Sequence, residues 1–210
     1  MAKVAIISGS PSETSRLNGV LELVSEVIAS NGHEIEWVHV RQLPAEDLMF
    51  TKFDSPAILA ANRIVEHADA LVIATPNYKA SYTGVLQTYL DLVPPKSLEG
   101  KTILPVAIGG MAAHLLAIDR ALKPVLSVHG ARYHHWNGVY ALDSQVQRID
   151  NNKFELDEEL VQRIKTAVQE YTQEVKAREG FIGTEGAALA LSGERHSGNA
   201  DIACQTARRG

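Results

Sequence analysis

KVAIISGSPSETSRLN, residues 3–18, is the stretch whose reading decides how this chain folds. Residues 4–7 form a short unbroken apolar run, the composition of a strand buried on both faces of a parallel sheet. The run stops at Ser8-Gly9-Ser10-Pro11, a cluster that favours a turn. Beyond Thr14, apolar residues recur at Leu17, Val20, Leu21, Val24, Val27 and Ile28, the spacing of one helix face. Strand, small polar loop and helix together set the hydroxyls of Ser10, Thr14 and Ser15 and the cation of Arg16 at a helix N-terminus. Such an end presents unpaired N–H groups and partial positive charge, so it suits a phosphate. A plainer reading makes Ser15 a helix cap and Arg16 a solvated cation.

Other phosphate signatures are absent. No Gly-Lys-Ser/Thr follows Gly9, Gly-x-Gly-x-x-Gly is not formed, and neither is the Gly-x-Ser-x-Gly of a nucleophile elbow. Hydroxyls with one Arg point to a monophosphate.

The chain has 210 residues, enough for one α/β domain with a sizeable core. A hydrophobic fraction of 45%, a charged fraction of 21% and a net charge of −5 are ordinary, with no basic stripe for nucleic acid. The single Cys204 fits a reducing compartment. A strand beginning at once leaves no room for a signal peptide, and no apolar run approaches the roughly 20 residues of a membrane span. The expectation is a soluble, cytoplasmic protein without nucleic-acid or membrane partners.

Asn31-Gly32 is a left-handed helix stop. Residues 34–40 alternate and read as a second strand near a sheet edge; 43–53 are irregular. A helix follows Pro56, with Ile58, Leu59, Ile64 and Val65 on its inner side. Residues 69–75 and 102–108 are apolar throughout, the pattern of central strands, though Pro105 removes a ladder donor. Helices are predicted at 83–93, 112–128 and 157–176, and a fifth strand at 139–142. The alternation implies an α/β three-layer sandwich around a five-stranded parallel sheet, in the flavodoxin-like order 2-1-3-4-5. Residues 1–178 form the domain; 179–210 have the composition of a tail with no assigned function.

In such sheets ligands sit beyond the carboxyl ends of the strands. After the third strand, Thr75-Pro76-Asn77-Tyr78-Lys79-Ala80-Ser81-Tyr82-Thr83-Gly84 offers a flat wall and free N–H groups, suited to a planar heteroaromatic ring. The alternative makes the two tyrosines ordinary rim aromatics. After the fourth strand, Gly109-Gly110 permits close backbone approach, and the helix predicted behind it favours negative charge. An anion, a planar ring and a negative ring edge are combined in flavin mononucleotide (FMN). His114, His129, His134 and His135 complete no metal-ligand spacing and read as packing or strand residues.

GSPSETSR (9–16), DALVIATPNYKASYTGVLQTYLDLVP (69–94), GKTILPVAIGGMAAHLLAIDRALKPVLS (100–127) and Asp143-Ser144-Gln145 resemble the NADPH-dependent FMN reductases, most closely the alkanesulfonate branch. The resemblance covers residues 2–175 and implies phosphate contacts from Ser10, Ser15 and Arg16. Leu17 joins them in sequence, where close relatives commonly carry a small hydroxyl residue. It implies ring contacts from Pro76, Asn77, Tyr78, Lys79, Ser81, Gly109 and Gly110. Hydride then passes from nicotinamide to flavin directly, with NADPH or NADH as donor, without a catalytic side chain or a metal. It further implies a homotetramer and a partner flavin-dependent monooxygenase that takes the reduced FMN. Retained FMN reducing quinones, azo compounds or metal ions is the alternative, and a non-enzymatic electron carrier a third. Relatives carry a Tyr in a wide helical turn where this chain has Arg120, making Arg120 a candidate for a polar contact at a subunit interface or beside the flavin.

Overall fold

The computed structural model describes residues 1–131, 133–134, 138–150 and 153–193; the expectations for His135 and Cys204 lie outside them. β1 (Lys3–Ser8) is followed by α1 (Leu17–Ser30), β2 (Glu34–His39), α2 (Ala45–Met49), α3 (Pro56–His67), β3 (Ala70–Pro76), α4 (Gly84–Leu90) and β4 (Thr102–Gly109). A 3₁₀ turn (Ala112–Leu116) and a π-helical turn (Ile118–Leu122) lead into α5 (Lys123–Val128). β5 (Tyr133–His134), β6 (Val139–Leu142), a 3₁₀ turn (Asp143–Gln145), the antiparallel pair β7 (Val146–Asp150) and β8 (Lys153–Leu156), and α6 (Glu158–Gly193) complete the described chain.

The main sheet is parallel in the order β2-β1-β3-β4, with β5 and β6 sharing the fifth position along β4. This is the 2-1-3-4-5 order, with β2 at the edge. Ile6 pairs with Trp37 on one side and Val72 on the other, and Val72 pairs in turn with Leu104. Pro105 is tolerated in β4 because it lies where the described ladders change over, from Ile103 on β5 to Val106 on β6.

Strand side chains alternate between two cores. Val4, Ile6, Val72 and Val106 face a layer containing α1 and the first turns of α6; Leu17, Val20, Leu21, Val24 and Ile28 meet them there with Leu160, Ile164, Val168 and Tyr171. Ala5, Ile7, Leu71, Ile73 and Ile103 face the opposite layer, against Ile58, Val65, Leu86, Tyr89, Leu90, Leu122 and Leu126. Tyr171 is fully buried, and its hydroxyl donates to Leu71 O at 3.1 Å; burial holds that phenol well above the usual tyrosine range.

Several elements differ from the sequence reading. The helix predicted over 112–128 is three pieces; Pro124, with no N–H for the carbonyl of residue 120, stands at the junction of the π-helical turn and α5. The segment after Pro44 forms the short helix α2. Leu59 points outward, because the inner face of α3 is Ile58, Ala61, Asn62 and Val65. The β7–β8 hairpin was not anticipated. The chain divides into units of residues 1–176 and 177–210. The described helix α6 is bounded at Gly193, past its predicted end at residue 176. No described helix is long and apolar enough to cross a membrane.

Candidate functional site

β1, β3 and β4 are neighbours pointing the same way, so the loops leaving their carboxyl ends meet at one edge of the sheet. In the first loop the buried Ser10 hydroxyl accepts from Ser12 N at 3.3 Å, and Ser15 Oγ accepts from Leu17 N at 3.2 Å. Gly9 N donates to Ala74 O at 2.8 Å, and a methyl group added at Gly9 would stand 2.6 Å from Leu86 Cβ. That is closer than real Cβ atoms come, so α4 presses directly on this loop. Arg16 is exposed; its Nε donates to Val146 O at 3.0 Å, while its terminal nitrogens make no hydrogen bond among the described residues. Its orientation is thus fixed from behind. Leu17, the residue after Arg16, has its side chain wholly in the core, and its N–H donates to Ser15 Oγ.

The second loop is a tight hairpin turn. Tyr78 N donates to Ser81 O at 2.9 Å and Ser81 N to Tyr78 O at 3.1 Å, with Lys79 and Ala80 between them at φ +53° and +61°. Two consecutive left-handed residues are the geometry that Asn-Gly pairs usually fill, so this loop carries strain. Tyr78, Lys79 and Ala80 are exposed, Ser81 is half-buried, and Pro76 is buried at the end of β3. Asn77 N donates to Ile108 O at 2.7 Å and its Nδ2 to His114 O at 3.0 Å. Its Oδ1 is buried with no partner among the described residues. A pocket of about 10 Å³, the room of one water, lies beneath, between Thr75, Asn77, Tyr82, Ala107 and Ile118.

In the third loop, a methyl group on Gly109 would lie 2.5 Å from Tyr140 Oη and 3.1 Å from Asn77 Cβ. Glycine is required there by close packing. Gly110 is exposed, with Asp143 Oδ2 3.6 Å from the same hypothetical atom. Burial, then Asp143, raise the Tyr140 phenol above its ordinary pKa, so it stays protonated and donates to Met111 O at 2.9 Å. The helix expected behind Gly110 is only the five-residue 3₁₀ turn, so the loop gains no long-helix dipole. His114 enters through its carbonyl.

The structure therefore brings Ser10, Ser15, Arg16, Asn77, Tyr78, Lys79, Ser81, Gly109 and Gly110 to one edge. Arg120 stands in the π-helical turn, exposed, beside Asp119, which pairs with Lys123 at 2.6 Å. Sequence reasoning placed Thr75 and Thr83 in the second loop without a role of their own, and gave none to Tyr140 or Arg148. Thr83 carries the signature of a helix cap, a Thr just before an apolar run. Arg148 leaves no local mark: it arrives from β7 to donate to the Thr14 carbonyl, while Arg41 pairs with Glu13 at 3.3 Å on the same loop.

A doubly covered parallel sheet of this order, with three such loops at its carboxyl edge, defines the flavodoxin-like fold class. The chain belongs to the NADPH-dependent FMN reductase family, whose model matches residues 2–147. It is 40% identical over 198 residues to an FMN reductase (NADPH) of Escherichia coli K12, covering 93% of this chain and 100% of the relative. Identity is 45% over 150 residues to an FMN reductase (NADPH) of Pseudomonas putida KT2440, covering 71% and 76%. Among solved structures, the apo form of an NADH:FMN oxidoreductase (EMOB) superposes with a TM-score of 0.73 at 31% identity, covering 83% of this chain and 90% of that one. The protein is an NAD(P)H-dependent FMN reductase.

Proposed function

We propose that this enzyme takes FMN as an exchanging substrate, reduces it with NADPH or NADH, and passes reduced FMN to a flavin-dependent monooxygenase of organosulfur metabolism, the alkanesulfonate type above all. The observation that carries the exchange is the openness of the ring loop: Tyr78 is 54% exposed, and Lys79 and Ala80 are exposed beside it. The 40% identical relative supports the reductase reading, and the resemblance of residues 69–94 to the alkanesulfonate branch supports the partner.

The residues suit FMN on two counts. Asn77 Oδ1, buried with no partner among the described residues, offers an acceptor for a ring N–H, and Gly110 presents exposed backbone without a side chain. Ser10, Ser15 and Arg16 would hold the phosphate, Arg16 with its two terminal nitrogens turned outward by the Val146 carbonyl. Pro76, Asn77, Tyr78, Lys79, Ser81, Gly109 and Gly110 would hold the ring, with Leu17 reduced to packing behind them. Bound FMN supplies the hydride-accepting chemistry, so the protein's work is to stack and orient two rings. No general base is assigned.

Purified protein assayed for NADPH oxidation, with and without added FMN, tests the reading. Strong stimulation by FMN is expected. A yellow protein indifferent to FMN but active on a quinone would show retained FMN instead, and no oxidation under either condition would leave an electron carrier. We assign Arg120 to a contact between subunits of a tetramer near the flavin; Arg120→Ala should shift elution on a sizing column or alter FMN retention. Unchanged behaviour in both would remove that role.

A further inference from the structure

We infer that Thr83, which touches no ligand in the reading above, is a positioning residue that locks the phosphate loop to the ring loop, so that occupation of one half of the FMN site organises the other. The inference rests on the FMN reading and adds to it a residue and a mechanism of coupling.

Thr83 is buried, at the N-cap of α4, and its hydroxyl is used twice. It donates to Gly9 O in the first loop at 2.6 Å and accepts from Leu86 N at 3.1 Å, capping α4. Its own N–H donates to Thr75 Oγ1 at 3.0 Å, and Thr75 in turn donates to Pro76 O at 2.8 Å, where the ring loop begins. One continuous relay thus runs from the carbonyl before Ser10 to the carbonyl before Asn77. The cap alone needs only an acceptor, which an unoccupied turn or water supplies elsewhere on proteins. The short bond to Gly9 O is the added feature, and it spans two loops 74 residues apart in sequence. Both partners are shielded from water, so the bond has no solvent competitor and its geometry is passed on without slack. Packing reinforces it: Leu86, on the turn that Thr83 caps, leaves no room for a side chain at Gly9. The strained Lys79-Ala80 turn lies just before Thr83, so ordering that turn around a ring is transmitted directly to Gly9 and Ser10.

The test compares dissociation constants for FMN and riboflavin in the wild type, Thr83→Val and Thr83→Ser, with amide exchange of the wild type under lumiflavin, which is the ring alone. The wild type is expected to prefer FMN to riboflavin. Thr83→Val should then lose about tenfold in FMN affinity with riboflavin changed much less, about the effect of one buried hydrogen bond, and Thr83→Ser should restore it. Lumiflavin should slow exchange across residues 9–17 although it has no phosphate to place there. The inference is overturned if Val weakens FMN and riboflavin equally, the result of a cap alone, or changes neither. A lumiflavin complex with unchanged exchange at 9–17 overturns it too, and decides the matter if the Val variant does not fold. A wild type that binds neither FMN nor lumiflavin overturns the FMN reading and this inference together; the other failures leave that reading standing.

Discussion

At Gly109 the Tyr140 hydroxyl and the Asn77 side chain occupy the space a Cβ would need. Gly109→Ala should therefore destabilise the protein by about 1–3 kcal/mol and weaken FMN binding. Removing the obstructing oxygen with Tyr140→Phe should recover part of both in the double variant, as read by thermal melts and flavin titration; strictly additive losses would show that the two atoms do not compete. Ala80, at φ +61°, makes the opposite prediction. Ala80→Gly should raise stability by up to about 1 kcal/mol, since relief of the left-handed penalty outweighs the added freedom of the unfolded chain. A lower melting temperature would contradict the strain. Arg16→Ala should weaken FMN by about 1.5–3 kcal/mol and riboflavin hardly at all, because only FMN has a phosphate to lose. Equal losses would place Arg16 away from the phosphate.

The hairpin β7–β8 is the element that the sequence left unread, and it stands directly behind the phosphate loop. Val146 O orients Arg16, Arg148 reaches the Thr14 carbonyl and stacks over Phe154 at 5.9 Å, and a methyl on Gly19 would meet Phe154 Cβ at 2.6 Å. Gly19→Ala should push the hairpin off α1, costing about 1–3 kcal/mol in a denaturant titration and lowering FMN affinity more than riboflavin affinity. Loss of stability with no change in that ratio would show the hairpin to be packing only. The strands β1, β3 and β4 were legible because each is a run of apolar residues with no other stable use than a covered parallel strand. The loops after β1 and β3 were legible as loops because their hydroxyls, glycines and tyrosines interrupt those runs. The hairpin was not, because Val146 is its one buried residue in β7, and its work is done by a carbonyl and an Arg acting on residues far earlier in the chain. The start of α5 was signalled by Pro124, but helical spacing on both sides concealed the break.

At the scale of the whole molecule, His39 and His129 are held below the ordinary histidine range, His39 by burial and then by Arg41, His129 by burial against a smaller opposing pull from Asp91. The unfolded chain therefore binds these protons more readily than the folded one. Stability should fall as pH drops from about 7 towards 5, through the unfolded histidine pKa, and should level off below the two folded values. Asp47, lowered chiefly by its hydrogen bonds from Ser55 and Lys52, adds a separate loss only in the carboxylate range. His39→Gln with His129→Gln should flatten the upper part of a denaturation curve taken against pH; an unchanged slope would assign it to other groups. The central claim, that the three carboxyl-end loops make an FMN reductase whose flavin exchanges, is tested most directly by anaerobic bleaching. A trace of enzyme is mixed with a large excess of FMN and NADPH, and the visible absorption of oxidised flavin is followed. Complete bleaching of the FMN pool, many turnovers per subunit, is the predicted result. Bleaching that stops at one flavin per subunit, or none at all, would contradict it.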